Sequence, residues 1–132
     1  MAKRSKRYMA RVAVLQELYA QAIGGQPIAV EHHVDREYQQ ILFSGITQAR
    51  AHLEEQIGAQ LSHSSFEDVM LIDQFILLIG AYELEYRVDV PWRVVVNEGV
   101  ELAKEYGSDD GYKMVNAILD HLALTHRKRE RM

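Results

Sequence analysis

Apolar residues recur at three- and four-residue steps along five long stretches of the chain, which places them on one face of an α-helix in each stretch. The two-residue alternation of a half-buried strand is not sustained over a useful length. The pattern therefore predicts an all-α domain, 1–132, of five to seven helices. The predicted helices are 3–23, 35–61, 70–86, 91–106 and 110–124, with a single helical turn at 66–69 and a solvated tail at 125–132.

Glycine, proline and short polar residues mark the ends of these helices. The Gly24-Gly25-Gln26-Pro27 break ends the first one. Pro91 suits a first helical position, where its missing N–H is not needed, and Asp89 lies just upstream as a possible cap. Gly107 is predicted to stop the same helix.

The segment 70–86 is apolar nearly all round, which predicts that it forms the centre of the core. Asp73 and Gln74 interrupt its apolar run near the start. The simplest interpretation is that both lie on an exposed face, where a carboxylate suits the positive end of the helix dipole.

Length and composition limit the classes of protein that need to be considered. The chain has 132 residues, of which 48% are hydrophobic and 26% charged, so one folded domain is expected. It has no cysteine, which excludes disulfides, thiolate metal sites and cysteine nucleophiles. Without a spanning apolar run or a secretory signal, the expected location is the cytoplasm, with no membrane contact.

Charge is distributed unevenly along the chain. The formal net charge is −4, but five of the first eleven residues are basic and none of those eleven is acidic. Four more bases lie within 127–131. The segment 12–126 between these ends holds six Lys or Arg against eighteen Asp or Glu, a formal charge of −12. The net charge alone argues against a nucleic-acid partner, but an acidic body with two basic ends makes the asymmetry more informative than the sum.

No constellation of residues indicates catalysis. The six histidines do not occur at metal-ligand spacing, and His32-His33 is expected to be a surface loop. A phosphate-binding glycine loop and a nucleophile elbow are both missing from the sequence. We therefore predict a non-enzyme without metal or cofactor.

Short motifs in the second half carry a family resemblance. They are Ala81-Tyr82-Glu83-Leu84, Asp89-Val90-Pro91, Asn97-Glu98, Val100-Glu101-Leu102-Ala103-Lys104, Gly107, Asp110, Val115-Asn116 and Ile118-Leu119-Asp120. In order and spacing they resemble the NusB family of bacterial transcription antitermination factors. The opening helix is similar as well, through Arg11, Ala13, Gln16 and Leu18-Tyr19.

The resemblance implies a compact, non-enzymatic helical bundle in two halves. It also implies binding to the boxA element of ribosomal RNA leader transcripts together with NusE, a small-subunit ribosomal protein. NusA, NusG and RNA polymerase would join the larger complex, which lets the polymerase pass terminators. Some members of the family form homodimers that hide the RNA surface.

The basic start of the chain is the first RNA-binding candidate, because lysine and arginine contact phosphates and release counterions. Its members are Lys3, Arg4, Lys6, Arg7 and Arg11. A solvated helix start is the alternative, although positive charge there opposes the helix dipole. The resemblance adds Tyr19, which could stack on a base or lie in the core, and Asp110, Lys113 and Met114, of which Asp110 could also be an ordinary helix cap.

Asp73 and Gln74 correspond, by the resemblance, to part of the NusE contact, and an acidic surface suits a basic ribosomal protein. Two other functions remain open from the sequence. The chain could be a helical module that binds only protein. It could also be a stand-alone relative of the N-terminal domain of RNA cytosine methyltransferases, which would lack the catalytic domain.

Overall fold

The structure is a computed structural model, which describes residues 4–26 and 33–131. This part of the chain is all helical, as predicted, and contains no strand. The helices are α1 (Lys6–Ile23), α2 (Arg36–Gly58), α3 (Leu71–Tyr86), α4 (Trp92–Tyr106), α5 (Gly111–His126) and the short α6 (Lys128–Arg131), with a 3₁₀ turn at Phe66–Asp68.

Helix α3 is the centre of the core, as its apolar sequence predicts. It contacts all four of the other long helices, of which α1 packs with α2 and α4 packs with α5. Every residue from Phe75 to Ala81 is buried. At roughly 25 cal/mol per Å² of apolar surface, burial of this helix is a principal stabilising contribution to the fold.

Local chemistry explains where the first two helices begin and end. The Ser5 side chain accepts a hydrogen bond from the Tyr8 amide at 3.0 Å, and the Asp35 side chain does the same for the Tyr38 amide at 3.0 Å. These caps satisfy amides that have no partner within the helix. Gly24 ends α1 with φ of 78°, in the left-handed region that favours glycine.

Helices α2 and α3 cross in close contact at Gly45. A methyl group on this residue would overlap the ring of Tyr82. The ring fills the space that a larger residue would need, so glycine at this position permits the two helices to approach.

The residue that caps the start of α4 is not the predicted one. Pro91 is the cap residue and not the first helical residue, and the helix begins without a side-chain cap from its own sequence neighbours. Asp89 instead accepts from Arg87 Nη2 at 3.2 Å. Asp110 likewise provides no side-chain cap for α5 and lies 3.6 Å from Lys113 Nζ.

The predicted solvated tail is wrong for its first residues. Helix α5 continues to His126, two residues beyond its predicted end, and α6 follows directly. Arg127 between them is buried. The sequence pattern misses this because the anchoring side chain is charged and so does not register as an apolar position.

Among the residues described, no helix is long and apolar enough to cross a membrane.

Candidate nucleic-acid interface

Just before α1, Arg4 lies beside acidic partners at the end of α4. Arg4 Nη2 lies 3.3 Å from a Glu105 carboxylate oxygen and 3.7 Å from one of Glu101, and the Arg4 guanidinium covers the Tyr8 ring at 4.5 Å. The side chains of Arg4, Glu101 and Glu105 are all more than 40% exposed. Exposed pairs of this kind contribute only about 0–1 kcal/mol, so a phosphate could replace the carboxylates as partner.

Tyr8 has a buried ring beneath this surface. Its hydroxyl donates to Glu105 at 2.6 Å. Burial, and then the hydrogen bond to Glu105, raise the pKa of Tyr8 well above its ordinary value. Tyr8 therefore keeps its proton and joins the start of α1 to the end of α4.

Lys6 and Arg7 are the two cations of the first turn of α1. Lys6 is exposed and makes no ion pair with any residue in 4–26 or 33–131. Arg7 lies over the Tyr38 ring at 4.2 Å, with its nitrogens 3.7 Å from Asp89 and 4.0 Å from Asp35. Both side chains line an open cleft of about 400 Å³. Lys3, also predicted here, lies outside the described residues.

Arg11 differs from its predicted role as an RNA contact. Its side chain is only 2% exposed, and it binds the equally buried Glu83 through Nε and Nη2 at 2.8–3.1 Å. Burial by itself lowers the pKa of Arg11, but attraction to and hydrogen bonds with Glu83 outweigh it and raise that pKa. Arg11 therefore joins α1 to α3, with its guanidinium held by Glu83 at the base of the cleft that Lys6 and Arg7 line.

The last turn of α4 lies beside an apolar groove that contains Tyr19. The groove has a volume of about 250 Å³, and Tyr19 and Tyr106 are each 38% exposed. Its other lining residues are Leu15, Gln16, Ala20, Ile23, Gln26 and Ile72. The Gln16 side-chain oxygen is buried without a hydrogen-bond partner among the residues described. Tyr19 is thus at the surface, the position that base stacking requires, and not in the core.

The start of α5 contacts the other side of this turn. Lys104 Nζ lies 5.4 Å from the centre of the Tyr112 ring, and Lys113 Nζ lies 5.9 Å from it. The Lys113 side chain is 67% exposed and that of Asp110 84% exposed, whereas Met114 is half-buried against the core. The end of α4 therefore lies near Arg4, Tyr19 and the start of α5, whereas Lys6 and Arg7 lie beside the start of α4.

Asp73 is buried, so the prediction that it lies on an exposed face is wrong. It is 1% exposed, and its carboxylate accepts from the Ser108 hydroxyl at 2.6 Å and the Ser108 amide at 3.3 Å. Asp73 thereby fixes the turn between α4 and α5. Gln74 is half-buried, and its side chain donates to the Val69 carbonyl at 2.7 Å.

Sequence reasoning missed Glu105 and Tyr106, which connect the two parts of the surface. Both lie at the end of α4, where the helical pattern indicates only an exposed face and a core-facing tyrosine. Their partners are 97 residues away for Glu105 and on a different helix for Tyr106. No short-range signal marks either one, although the acid-rich end of α4 complements the basic start of α1.

Within the described part of the chain, no group of three or more histidine or acidic side chains is arranged to hold a metal ion.

Comparison with known proteins agrees with the motifs. A family model described as the NusB family matches residues 6–124. The transcription antitermination protein NusB of Shewanella loihica is 40% identical over 130 residues, covering 91% of this chain and 96% of that protein. The protein of the same name from Alcanivorax borkumensis is 41% identical over 111 residues, covering 84% of this chain and 71% of that protein.

A solved structure of NusB from T. maritima has the same fold. It superposes with a TM-score of 0.82 over 97% of this chain and 98% of that one, at 24% sequence identity. The relatives' names support a role in transcription antitermination. The match to the family model extends over nearly all of the described helices, and the chain therefore belongs to the NusB family.

Proposed function

We propose that this chain is a transcription antitermination factor that binds the boxA element of ribosomal RNA leader transcripts together with NusE. NusA, NusG and RNA polymerase would join the same complex. The observation that carries the proposal is the gathering of exposed bases and tyrosines around the last turn of α4 in a chain of the NusB family. We call this the α4-end surface, and it comprises Arg4, Tyr19, Tyr106, Tyr112 and Lys113. Lys6 and Arg7, close to Arg4 in sequence, line a separate cleft beside the start of α4.

Phosphate contacts come from the bases of the α4-end surface and from Lys6 and Arg7 in the cleft beside the start of α4. Lys6 and Lys113 are exposed, and Arg4 and Arg7 hold carboxylates only through exposed pairs. An RNA phosphate can displace such a carboxylate at small cost, and counterion release then favours binding. Arg11 is left out of this surface because its guanidinium is buried with Glu83.

Base contacts come from the groove between Tyr19 and Tyr106. Unpaired bases stack on aromatic rings, and both rings are exposed at the groove. Stacking on exposed rings suits a single-stranded element better than a duplex, whose bases are already stacked and paired.

The acidic remainder of the chain supports a basic protein partner such as NusE. The segment 12–126 has a formal charge of −12, which opposes non-specific RNA binding over the rest of the surface. Gln74 and the exposed Met70 at the start of α3 are the side chains proposed for this contact. Asp73, being buried, would shape the adjoining turn without touching the partner.

A protein-only interaction module is the second candidate, and one observation favours it. Two of the bases predicted to bind RNA, Arg4 and Arg7, already lie beside carboxylates in the folded chain. If those pairs persist, the charge available to phosphate is smaller than the sequence indicates.

Fluorescence anisotropy with a labelled boxA RNA, in the presence and absence of NusE, tests the proposal. A scrambled RNA of the same length and composition is the control. We expect NusE to raise the affinity for boxA RNA and to leave that for the scrambled RNA nearly unchanged. Binding of NusE without any gain in RNA affinity would favour the protein-only module, and no interaction with either would contradict both functions.

A further inference from the structure

Arg127 closes the end of α3. Its buried guanidinium donates to the carbonyls of Glu83, Leu84, Arg87 and Val90 at 2.8–3.1 Å. Carbonyls at the end of a helix have no partner within it, and burying them unpaired would be costly. One side chain from the end of the chain satisfies those at the end of α3 and in the turn that follows.

Glu130 caps the start of α4 from a distance of 38 residues along the chain. One of its carboxylate oxygens accepts from the Trp92 amide at 2.7 Å, and the other accepts from Arg127 Nη1 at 2.6 Å. Helix α4 needs this group because Pro91, at its cap position, has no side-chain acceptor. We call Arg127 and Glu130 together the C-terminal clamp, since they hold both ends of the turn 87–92.

The turn 87–92 also faces the basic start of α1. Asp89 lies 3.7 Å from Arg7 Nη1 and also accepts from Arg87. Val90, Pro91 and Val94 form part of the same 400 Å³ cleft that Lys6 and Arg7 line. A displacement of the turn would therefore change both the partner of Arg7 and the shape of the cleft beside it.

We infer that Arg127 and Glu130 are positioning residues for RNA binding, acting through the turn 87–92 on Arg7 and its cleft. The inference rests on the proposed function, in which Lys6 and Arg7 contact RNA. The clamp acts without touching RNA itself. Its effect is to keep Asp89 and the apolar wall of the cleft in one arrangement, so that RNA meets a preorganised surface.

Removing the negative charge of Glu130 distinguishes a positioning role from simple electrostatics, because the two predict opposite changes in RNA affinity. Glu130→Ala removes a negative charge, which by itself should strengthen RNA binding. Positioning predicts the opposite, a loss of roughly fivefold in affinity, in the range of ordinary coupling between sites. Glu130→Gln keeps a side-chain oxygen for the Trp92 amide and should retain most of the affinity.

Asp120→Ala is the matched control. It also removes one acid and loosens α6, because Asp120 accepts from Arg131 at 3.0 Å. Among the contacts of the described residues, Asp120 makes no hydrogen bond or ion pair with the turn 87–92. Its partner Arg131 covers the Trp92 ring at 4.0 Å, but within the described part of the chain the Trp92 amide is held by Glu130 alone. We expect an RNA affinity equal to or slightly above that of the unaltered protein.

Amide hydrogen exchange of Trp92 in the RNA-free protein reports on the clamp independently of any RNA. We expect faster exchange in Glu130→Ala and little change in Asp120→Ala, with both proteins folded by circular dichroism. Unchanged exchange in Glu130→Ala would overturn the clamp. Faster exchange with equal or higher RNA affinity would overturn the positioning role.

Failure of the proposed function gives a different result. In that case the unaltered protein does not bind boxA RNA, with or without NusE. The amide exchange of Trp92 and the NMR signal of the Arg7 Nε–H group still test, in the RNA-free protein, whether the clamp holds the turn 87–92. A shift of the Arg7 signal in Glu130→Ala but not in Asp120→Ala would support the link from the clamp to α1, and no shift would refute it.

Discussion

Arg11 on α1 and Glu83 on α3 form a buried ion pair, with Arg11 Nη2 2.8 Å from Glu83 Oε2 and both side chains at most 2% exposed. The Tyr38 hydroxyl of α2 donates to the same carboxylate. Burial, and then the charge of Glu83, raise the pKa of Tyr38, so its proton is retained. The pair and the tyrosine therefore join three helices at one point, and removing any member leaves a buried polar group without its partner.

Substitution of Glu83 by alanine should destabilise the fold severely. The change leaves the Arg11 guanidinium buried without its counter-ion and removes the acceptor of Tyr38. We expect the free energy of unfolding to fall by about 3–5 kcal/mol, as is usual when one partner of a buried pair is lost. Urea unfolding followed by circular dichroism measures the change.

Glu101→Ala is the control for that substitution. Glu101 is also an acid paired with arginine, but its side chain is 41% exposed and its nearest contact with Arg4 is 3.7 Å. The loss should stay within about 1 kcal/mol. Equal losses for Glu83→Ala and Glu101→Ala would contradict the special role of the buried pair.

Gly45→Ala should also be destabilising, although alanine is the better helix former. A methyl group at Gly45 would overlap the Tyr82 ring, and overpacking of this kind costs about 1–3 kcal/mol. At Gly58, in the last turn of the same helix, a methyl group would meet nothing within 4 Å. Gly58→Ala should therefore be neutral or stabilising by up to about 1 kcal/mol. Thermal unfolding of the two variants compares them, and a stabilised Gly45→Ala would be the contrary result.

Glu98→Gln should stabilise the protein at neutral pH. Burial raises the pKa of Glu98 above its ordinary value of 4.5, and the charge of Arg11 only partly opposes this. Between the ordinary and the raised pKa, the folded state binds more protons than the unfolded state, so unfolding free energy falls as pH rises. The gain from Glu98→Gln should be present at pH 7 and vanish below pH 4.5, as urea unfolding at several pH values would reveal. A gain that is independent of pH would contradict this origin.

Acid should release the C-terminal clamp at Glu130. The Trp92 amide hydrogen bond, together with Arg127, holds the pKa of Glu130 below its ordinary value of 4.5. A depressed pKa means that this stabilisation is complete above pH 4.5 and is lost as the pH falls through the folded-state value. Trp92 is the only tryptophan of the chain, and Arg131 covers its ring at 4.0 Å. Its fluorescence should change in a step below pH 4.5 that Glu130→Gln lacks, and the same step in both proteins would assign it to another group.

Arg7→Gln should weaken binding of boxA RNA and flatten its salt dependence. Loss of one phosphate contact lowers the slope of log affinity against log salt by about 0.7 for a single strand. Arg50→Gln is the control, because Arg50 is similarly exposed but pairs with Glu54 on α2. The same salt titration should show little change in RNA affinity or in its salt dependence for Arg50→Gln. Equal effects of the two changes would indicate a response to net charge, without a specific surface at α1.

Much of the fold follows from the sequence because helices are encoded by local periodicity. The apolar stripes predict α1 to α5 within a few residues, and the run from Phe75 to Ala81 identifies the central helix. The break at Gly24 depends only on the residue type that tolerates a left-handed backbone. The motifs from Ala81 to Asp120 also suffice to indicate the NusB family, which the comparisons establish.

The sequence alone did not predict which charged side chains are buried and which are exposed. Arg7 and Arg11 lie one turn apart on α1 and look equivalent in a list of bases, yet one is exposed and the other is buried with Glu83. Asp73 and Arg127 likewise look like surface charges and are buried. A charge can enter the interior only where another element supplies its partner.

The sequence by itself determined the helices, the central apolar segment and the family. Only the tertiary structure decided which charges bind one another and which face solvent, because their partners are distant: Glu83 is 72 residues from Arg11, and Trp92 is 38 from Glu130. Periodicity reports contacts between neighbours in sequence, and these pairs exist only after α1, α3 and the end of the chain have packed together.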